Sequence, residues 1–472
     1  RRGLVVPTVF SELWGEHIGY LDCDAFGSGT LDHMVRGVER YEAQAGRWIV
    51  DLRENGGGEV AAAVHSAGVF TGPKTLAYLR DSSGWHRSYQ SENAALTDAP
   101  VLVLVDRYTA SSAELFAAAI RDTGGLVVGS RTYGKGVAQS LFDQDVYPEM
   151  FPDGDALKIT TSRFYSSVGT TDDSIGVFPH LLINPQAAEQ VAVLLCAPAP
   201  AGDTEGFLRL DLGGSWYIDL EQALSEEYRP AFAAFLSALS PGMRLLAGNG
   251  GGWAVASPAS LAERYGLTGY AGRGFSDSLQ SRYGAQIDAL ATYGILQGGG
   301  DGQFHPFDPL TRAQLCVLLA RMLNCAYPSG PSQFSDVSMD AWYGPSVNAL
   351  AELGLVTGVG GGVFQPDLPV THEQLITILS RVACQLNLYL RQDYQRMPQS
   401  VMDAEALSSW PEWSRGHVWL LSMSQKDSRG GTVSLLWDSL GSIDPIGDAL
   451  RGEAAALTYD LLSYIGILPK QA

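Results

Sequence analysis

The second half of this chain repeats itself. Phe275-Ser-Asp277 returns as Phe334-Ser-Asp336, and Tyr293-Gly-Ile295 as Leu353-Gly-Leu355. Gln303-Phe-His-Pro306 returns as Val363-Phe-Gln-Pro366, and Thr311-Arg-Ala-Gln314 as Thr371-His-Glu-Gln374. Four anchors keep one period of about sixty residues. Such units cannot bury a face alone and must stack on one another, which constrains the fold more than any other feature. Each unit reads as helix, glycine-rich turn, helix, over residues 273–326 and 333–386. After an insertion around residues 387–400, a degenerate third copy over residues 401–465 carries Asp403, Gly441-Ser-Ile-Asp-Pro445 and Leu450-Arg-Gly-Glu453. The repeats are expected to be all-α.

The first part of the chain reads differently. Ile18-Gly-Tyr-Leu21, Trp48-Ile-Val-Asp-Leu52 and Val101-Leu-Val-Leu-Val105 read as short buried strands. Helical stretches over residues 31–45 and 59–69 lie between them, so residues 1–190 are expected to form an α/β core. Ala197-Pro-Ala-Pro-Ala-Gly202 reads as a linker, and residues 206–267 as a smaller α/β segment with no legible chemistry. The net charge is −20 and no basic stripe is present, which argues against a nucleic-acid partner. No apolar run reaches bilayer length. Five scattered cysteines lack C-x-x-C spacing, so neither a metal site nor a cofactor is expected. Arg1-Arg-Gly-Leu-Val-Val-Pro7 has no methionine and no signal pattern, so any export signal is expected upstream of it.

Gly129-Ser-Arg-Thr-Tyr-Gly-Lys-Gly-Val-Ala-Gln139 has the outline of a phosphate-binding loop. That loop needs Ser or Thr after the lysine and a following helix. Here Gly136 follows Lys135, and residues 137–142 alternate like a strand. Lys135 is therefore a solvated turn residue or a base. Upstream, Ser111 and Ser112 stand where a strand ending at Val105 gives way to an alanine-rich helix starting near Ala113. Serines there cap helices. They also lie beside unsatisfied N–H groups and the positive end of the helix dipole, both suited to an oxyanion. No G-x-S-x-G elbow or histidine triad motif occurs. A neutral lysine can serve instead, and a strand–helix–strand layer returns Lys135 to the sheet edge that carries Ser111.

With these residues in view, residues 1 to about 185 resemble the carboxyl-terminal processing (tail-specific) protease family, whose fold is related to crotonase and Clp protease. Thr109-Ala-Ser-Ser-Ala-Glu114 is similar to its S-A-S-x-S-E segment, which implies Ser111 as nucleophile. Thr132-Tyr-Gly-Lys-Gly-Val-Ala-Gln139 is similar to T-F-G-K-G-x-x-Q, which implies Lys135 as general base and Gln139 as the residue orienting it. Asp51-Leu-Arg-Glu-Asn-Gly-Gly-Gly58 is similar to D-L-R-x-N-x-G-G. It implies an oxyanion hole from the N–H of Ser112 with that of Gly57 or Gly58. The Ser111–Lys135 interval is one residue shorter than usual, His180 stands where the family prefers Asp, and the usual substrate-binding PDZ domain is absent from residues 1–472.

The repeats resemble S-layer homology (SLH) modules, which bind secondary polysaccharides of bacterial cell walls. F-x-D matches residues 275–277 and 334–336, and G-x-F-x-P matches residues 302–306 and 362–366. The T-R-A-E signature survives as Thr311-Arg-Ala-Gln314, weakens to Thr371-His-Glu-Gln374 and drifts to Leu450-Arg-Gly-Glu453. This implies Arg312, His372 and Arg451 as polysaccharide-binding residues. The first repeat is expected to dominate, His372 to approach Arg312 only towards pH 5, and the groove of Arg451 to be malformed. The resemblances together imply an extracellular, wall-tethered serine endopeptidase acting on protein or peptide substrates. The alternative is a wall-associated protein that binds peptide without cleaving it. A crotonase-type acyl-CoA enzyme has no use for a serine–lysine pair.

Overall fold

The computed structural model describes residues 7–152, 154–422, 425–426 and 432–469. Residues 1–6, and with them the reading of the N-terminus, lie outside the described residues. The chain divides into two units that exchange near residues 240 and 272.

In the first unit the strands are β1 (Val9–Trp14), β2 (Ile18–Cys23), β3 (Arg47–Asp51), β4 (Lys74–Asp81), β5 (His86–Ser91), β6 (Val101–Val105), β7 (Leu126–Gly129), β8 (Val137–Asp143), β9 (Ala156–Ser166) and β10 (Leu181–Leu182). The helices are α1 (Thr30–Tyr41), α2 (Val60–Thr71), α3 (Ser112–Asp122) and α4 (Pro185–Leu195). A six-stranded sheet runs β1-β2-β3-β6-β7-β10, parallel throughout except that β1 opposes β2. A parallel strand covered on both faces reads as a continuous apolar run, and all five residues of β6 are buried. Val103 and Val105 meet the layer of α1, α2 and α3, whereas Leu102 and Leu104 meet the opposite layer. A second sheet, antiparallel in the order β5-β4-β9-β8, leaves β8 at its edge.

That opposite layer consists of α4 and residues 206–267. The latter fold as β11 (Phe207–Asp211), β12 (Ser215–Asp219), α5 (Leu220–Ala223), α6 (Arg229–Ala238), β13 (Arg244–Gly248), β14 (Trp253–Val255) and α7 (Pro258–Arg264). Leu208, Trp216 and Phe232 share one core with Ile49, Leu102 and Leu126. Arg47 donates to Ser215 O at 3.0 Å and lies over the Trp216 ring. The expected linker is not loose at its start: Cys196 and Ala197 bridge to Tyr217. Apolar alternation reads the same whether a face meets its own helices or a neighbouring sheet, so the sequence could not reveal this fusion.

The second unit contains α8 (Gly284–Thr292), α9 (Arg312–Met322), α10 (Gly344–Glu352), α11 (His372–Leu386), α12 (Leu388–Gln395), α13 (Glu412–Ser422) and α14 (Arg451–Tyr464). A two-stranded ladder of Gln425–Lys426 with Thr432–Val433 interrupts the third repeat. The F-x-D aspartates hold the G-x-F-x-P turns. Asp277 accepts from the N–H groups of Phe304 and His305 at 2.8 and 2.7 Å, and Asp336 repeats this with Phe364 and Gln365. The turns before α9, α11 and α14 meet through single bridges: Pro309 to Leu450, Thr311 to Pro369 and Thr371 to Asp448. The three repeats thus close on one another in a ring.

Candidate functional site

The turn between β6 and α3 is tied down before it reaches Ser111. The Asp106 carboxylate accepts from the N–H groups of Glu54, Tyr108 and Thr109 at 2.9–3.1 Å. Ser111 then adopts φ 60° and ψ −124°. An N-cap serine is usually extended, with its oxygen accepting from the first helical turn. Ser111 is not extended, and the Glu114 N–H donates to the Ser111 carbonyl at 2.9 Å. A positive φ costs a non-glycine residue about 1–3 kcal/mol and persists where the surroundings over-determine it. Here the Ser111 N–H donates to Glu114 Oε2 at 2.8 Å.

The Asp51–Gly58 turn packs directly against this elbow. At Gly57, φ is +97°, and a Cβ would stand 2.7 Å from Ala110 O and 2.8 Å from Ser111 Cβ. Only glycine fits there. The Ala110 N–H donates to Asn55 O at 2.9 Å, which joins the two turns. Asn55 also takes the Gly57 N–H on its Oδ1 at 2.8 Å. That bond removes Gly57 as an oxyanion donor and corrects its inclusion on sequence grounds. Among the described residues, the N–H groups of Gly58 and Ser112 have no protein acceptor. The Ser112 hydroxyl is buried and likewise unpartnered, so the side chain is not a cap.

The Lys135 loop is fixed by the same carboxylate that holds Ser111. Glu114 Oε1 accepts from Thr132 Oγ1 at 2.5 Å and Gly134 N at 2.7 Å. Its Oε2 accepts from Lys135 N at 2.8 Å as well as from Ser111 N. Burial pushes the Glu114 pKa up, and these four hydrogen bonds oppose the shift. Lys135 is half-buried, whereas Gln139 is exposed on edge strand β8, beside a register irregularity between Ala138 and Gln139. A cleft of about 960 Å³ is lined by Gly58, Glu59, Leu79, Trp85, Tyr89 and Gln139. The geometry therefore brings Ser111 and the Lys135 loop under one hydrogen-bond network centred on Glu114, with Ser112 next to Ser111, and Gly58 and Gln139 both lining the cleft.

Sequence reasoning quoted Glu114 within a motif and gave it no role. The available signal was its setting: an acid in the first turn of a helix of Ala, Leu and Phe that is buried all round must find donors. Glu114→Gln offers one acceptor oxygen where two are used and turns an NH₂ towards two donors. Each lost partner costs about 1–3 kcal/mol. The expected result is a fall in peptide cleavage of about 30-fold with the fold retained, measured as kcat beside a thermal melt.

The repeats form grooves from more than one unit. Arg312 begins α9 of the first repeat but reaches the turn of the second. Its Nε donates to Phe364 O and its Nη2 to Thr357 O, both at 2.9 Å, with the guanidinium 4.4 Å from the Phe364 ring centre. Arg381 and Trp413 complete that groove of about 320 Å³. Arg451, from the third repeat, reaches the first in the same way: Nε donates to Phe304 O at 2.8 Å, and the guanidinium lies 4.5 Å from the ring centre. Arg321 and Trp342 complete a groove of about 470 Å³.

Three expectations are corrected by this geometry. Arg312 serves the second repeat's groove, not the first's, and the groove of Arg451 is well formed. His372 differs from both. Its Nδ1 lies 2.7 Å from Asp444 O and its Nε2 3.1 Å from Glu453 Oε2. Burial lowers the His372 pKa, but Glu453 and Asp444 outweigh it and the net shift is upward. Protonation therefore strengthens an internal pair and frees no cation, so His372 does not come to resemble Arg312 in acid. Where the other grooves have Arg321 or Arg381, and Trp342 or Trp413, the corresponding positions here are Asp460 and Arg282. Among the described residues no cluster could hold a metal ion, and no helix is long and apolar enough to cross a membrane.

Comparison with known proteins agrees with both halves. Residues 17–183 match the model of peptidase family S41, and residues 274–316 and 333–376 match the S-layer homology domain. The chain carries an S41 peptidase domain, of the kind found in carboxyl-terminal processing proteases, followed by S-layer homology domains. A carboxyl-terminal-processing protease of Picosynechococcus sp. is 32% identical over 167 residues, covering 35% of this chain and 39% of the relative. The carboxy-terminal processing protease CtpA of Bacillus subtilis is 27% identical over 184 residues, 38% of each chain. The solved photosystem II D1 C-terminal processing protease is 28% identical with a TM-score of 0.33, covering 38% of this chain and 47% of its own. The chain spans less than half the length of these curated relatives.

Proposed function

We propose that this chain is a serine endopeptidase held at the bacterial cell surface by its repeats. In this reading Ser111 Oγ attacks the peptide carbonyl carbon while the neutral amine of Lys135 takes the hydroxyl proton. The N–H groups of Gly58 and Ser112 hold the developing oxyanion, where preformed donors stabilise charge most effectively. Lys135 returns the proton to the leaving amine, and water then hydrolyses the ester on Ser111. Gln139, further along the cleft, is assigned to orient the lysine side chain. The cleft receives an extended, unfolded segment, since its lining includes the face of the antiparallel sheet.

The observation that carries the reading is Glu114. One buried carboxylate bonds the backbone of both Ser111 and Lys135, an arrangement that a helix cap beside a solvated lysine does not require. The twin grooves support surface tethering. Each offers two arginines and a tryptophan, which suits a carboxylate-bearing wall sugar: guanidinium forks match carboxylates and an indole face covers a sugar ring. The test incubates the full chain with an unfolded protein and with purified cell walls. Cleavage that Ser111→Ala abolishes, with co-sedimentation on walls, is expected. Equal cleavage by Ser111→Ala contradicts the enzyme assignment, and peptide binding without cleavage favours the inactive alternative.

A further inference from the structure

The Lys135 loop is gripped from a second side. The N–H of Ser174 donates to Gly134 O at 2.8 Å, and that of Val177 to Thr132 Oγ1 at 2.7 Å. Gly136 lies so close to Asp173 that a Cβ would come within 2.3 Å of its nitrogen. This covering segment starts at Asp172, whose side chain is only 6% exposed. Its ionic partner is Arg121, equally buried, with Nη1 3.9 Å from Asp172 Oδ1 and Nε 3.2 Å from Asp122 Oδ1. Arg121 occupies the last turn of α3, the helix that begins beside Ser111 and bears Glu114 in its first turn.

We propose that the buried Arg121–Asp172 pair is a positioning element for the lysine base, docking residues 172–177 on α3 and so clamping the Lys135 loop in addition to Glu114. The inference rests on the reading of Lys135 as a base. One helix then sets the loop twice, directly through Glu114 and indirectly through Asp172. Serine and lysine are thereby referred to the same rigid element, which is what a proton transfer over hydrogen-bond distance demands.

The energetics point the same way. Burial pushes the Asp172 pKa up to about 7, Arg121 pulls it down, and Glu114 and Asp122 push it up. His180, the other titratable group beside Arg121, is held neutral by burial, its pKa lowered to about 3. A carboxyl with a raised folded pKa makes stability fall as pH rises from its ordinary range towards the folded value. Both Nη atoms of Arg121 also lack hydrogen-bond partners among the described residues. The pair is therefore a poor stabiliser, and such pairs can be replaced as a whole by well-packed apolar residues without loss of stability. A role in setting the loop accounts for its presence.

Asp172→Asn keeps the side-chain shape and leaves Arg121 with Asp122. In the full chain at pH 8, kcat for an unfolded protein is expected to fall about tenfold with KM changed less than threefold. The melting temperature should fall by no more than a few degrees, because Arg121 keeps Asp122. Hydrogen exchange at the Gly134, Lys135 and Ser174 amides should quicken, while the interior of α3 stays protected. Wild-type kcat, or a kcat that falls only in step with a lowered melting temperature, overturns the proposal. Unaltered exchange at those three amides overturns it as well. If the wild type and Ser111→Ala are equally inactive, the peptidase reading fails instead, and amide exchange alone still decides whether Asp172 clamps the loop.

Discussion

Ser111→Ala and Lys135→Ala are each expected to abolish cleavage of an unfolded protein, lowering kcat by on the order of 10⁴-fold or more, since groups that act as one unit are lost together. No neighbour can stand in for the lysine. Both Glu114 oxygens are already filled by four donors. His180 is half-buried, accepts from the Val127 N–H, and has its pKa lowered to about 3 by desolvation. Ser112→Ala should retain activity within a few-fold. Its assigned contribution is a backbone N–H, which alanine keeps, and its hydroxyl has no partner to lose.

Loss of Arg312 together with Arg451 is the second large effect. Arg312→Ala or Arg451→Ala alone removes a charged hydrogen-bonding group, about 1.5–3 kcal/mol, from one of two grooves. Two grooves on one chain bind a repeating polymer with avidity, so the double variant loses far more than either single one. Retention on purified walls should fall by on the order of 10³-fold in the double variant and about tenfold in each single variant. His372→Ala should bind nearly as well as wild type at both pH 7 and pH 5, because its ring is spent on Asp444 and Glu453. If the double variant folds and sediments with walls like the wild type, the repeats are scaffold only. The protein's net charge of −20 makes this a local attraction, so added salt should weaken it only moderately.

Motif spacing made the strands β3 and β6, the serine turn and the lysine loop legible, because each depends on local chemistry. An apolar run such as Val101–Val105 has no solvated alternative, and Gly57 has no room for a side chain. The period of the repeats likewise exposed the F-x-D aspartates, whose carboxylates cap the next turn within the same unit. What stayed hidden was non-local. That Arg312 crosses to Phe364 and Arg451 to Phe304 follows from ring closure among three units, which no single repeat encodes. Glu114, Asn55 and Asp172 matter through groups that folding brings to them from distant segments. The fusion of residues 206–267 to the back of the parallel sheet is hidden for the same reason.

The central claim is that Ser111 becomes acylated with Lys135 as its base. Rapid quenching of the full chain during turnover of an unfolded protein, followed by mass spectrometry of the fragment containing Ser111, reads this directly. A substrate-derived acyl adduct on Ser111 is expected in the wild type, none in Ser111→Ala, and a trace at most in Lys135→Ala. Product formation without an adduct on Ser111, undiminished in Lys135→Ala, would contradict the account.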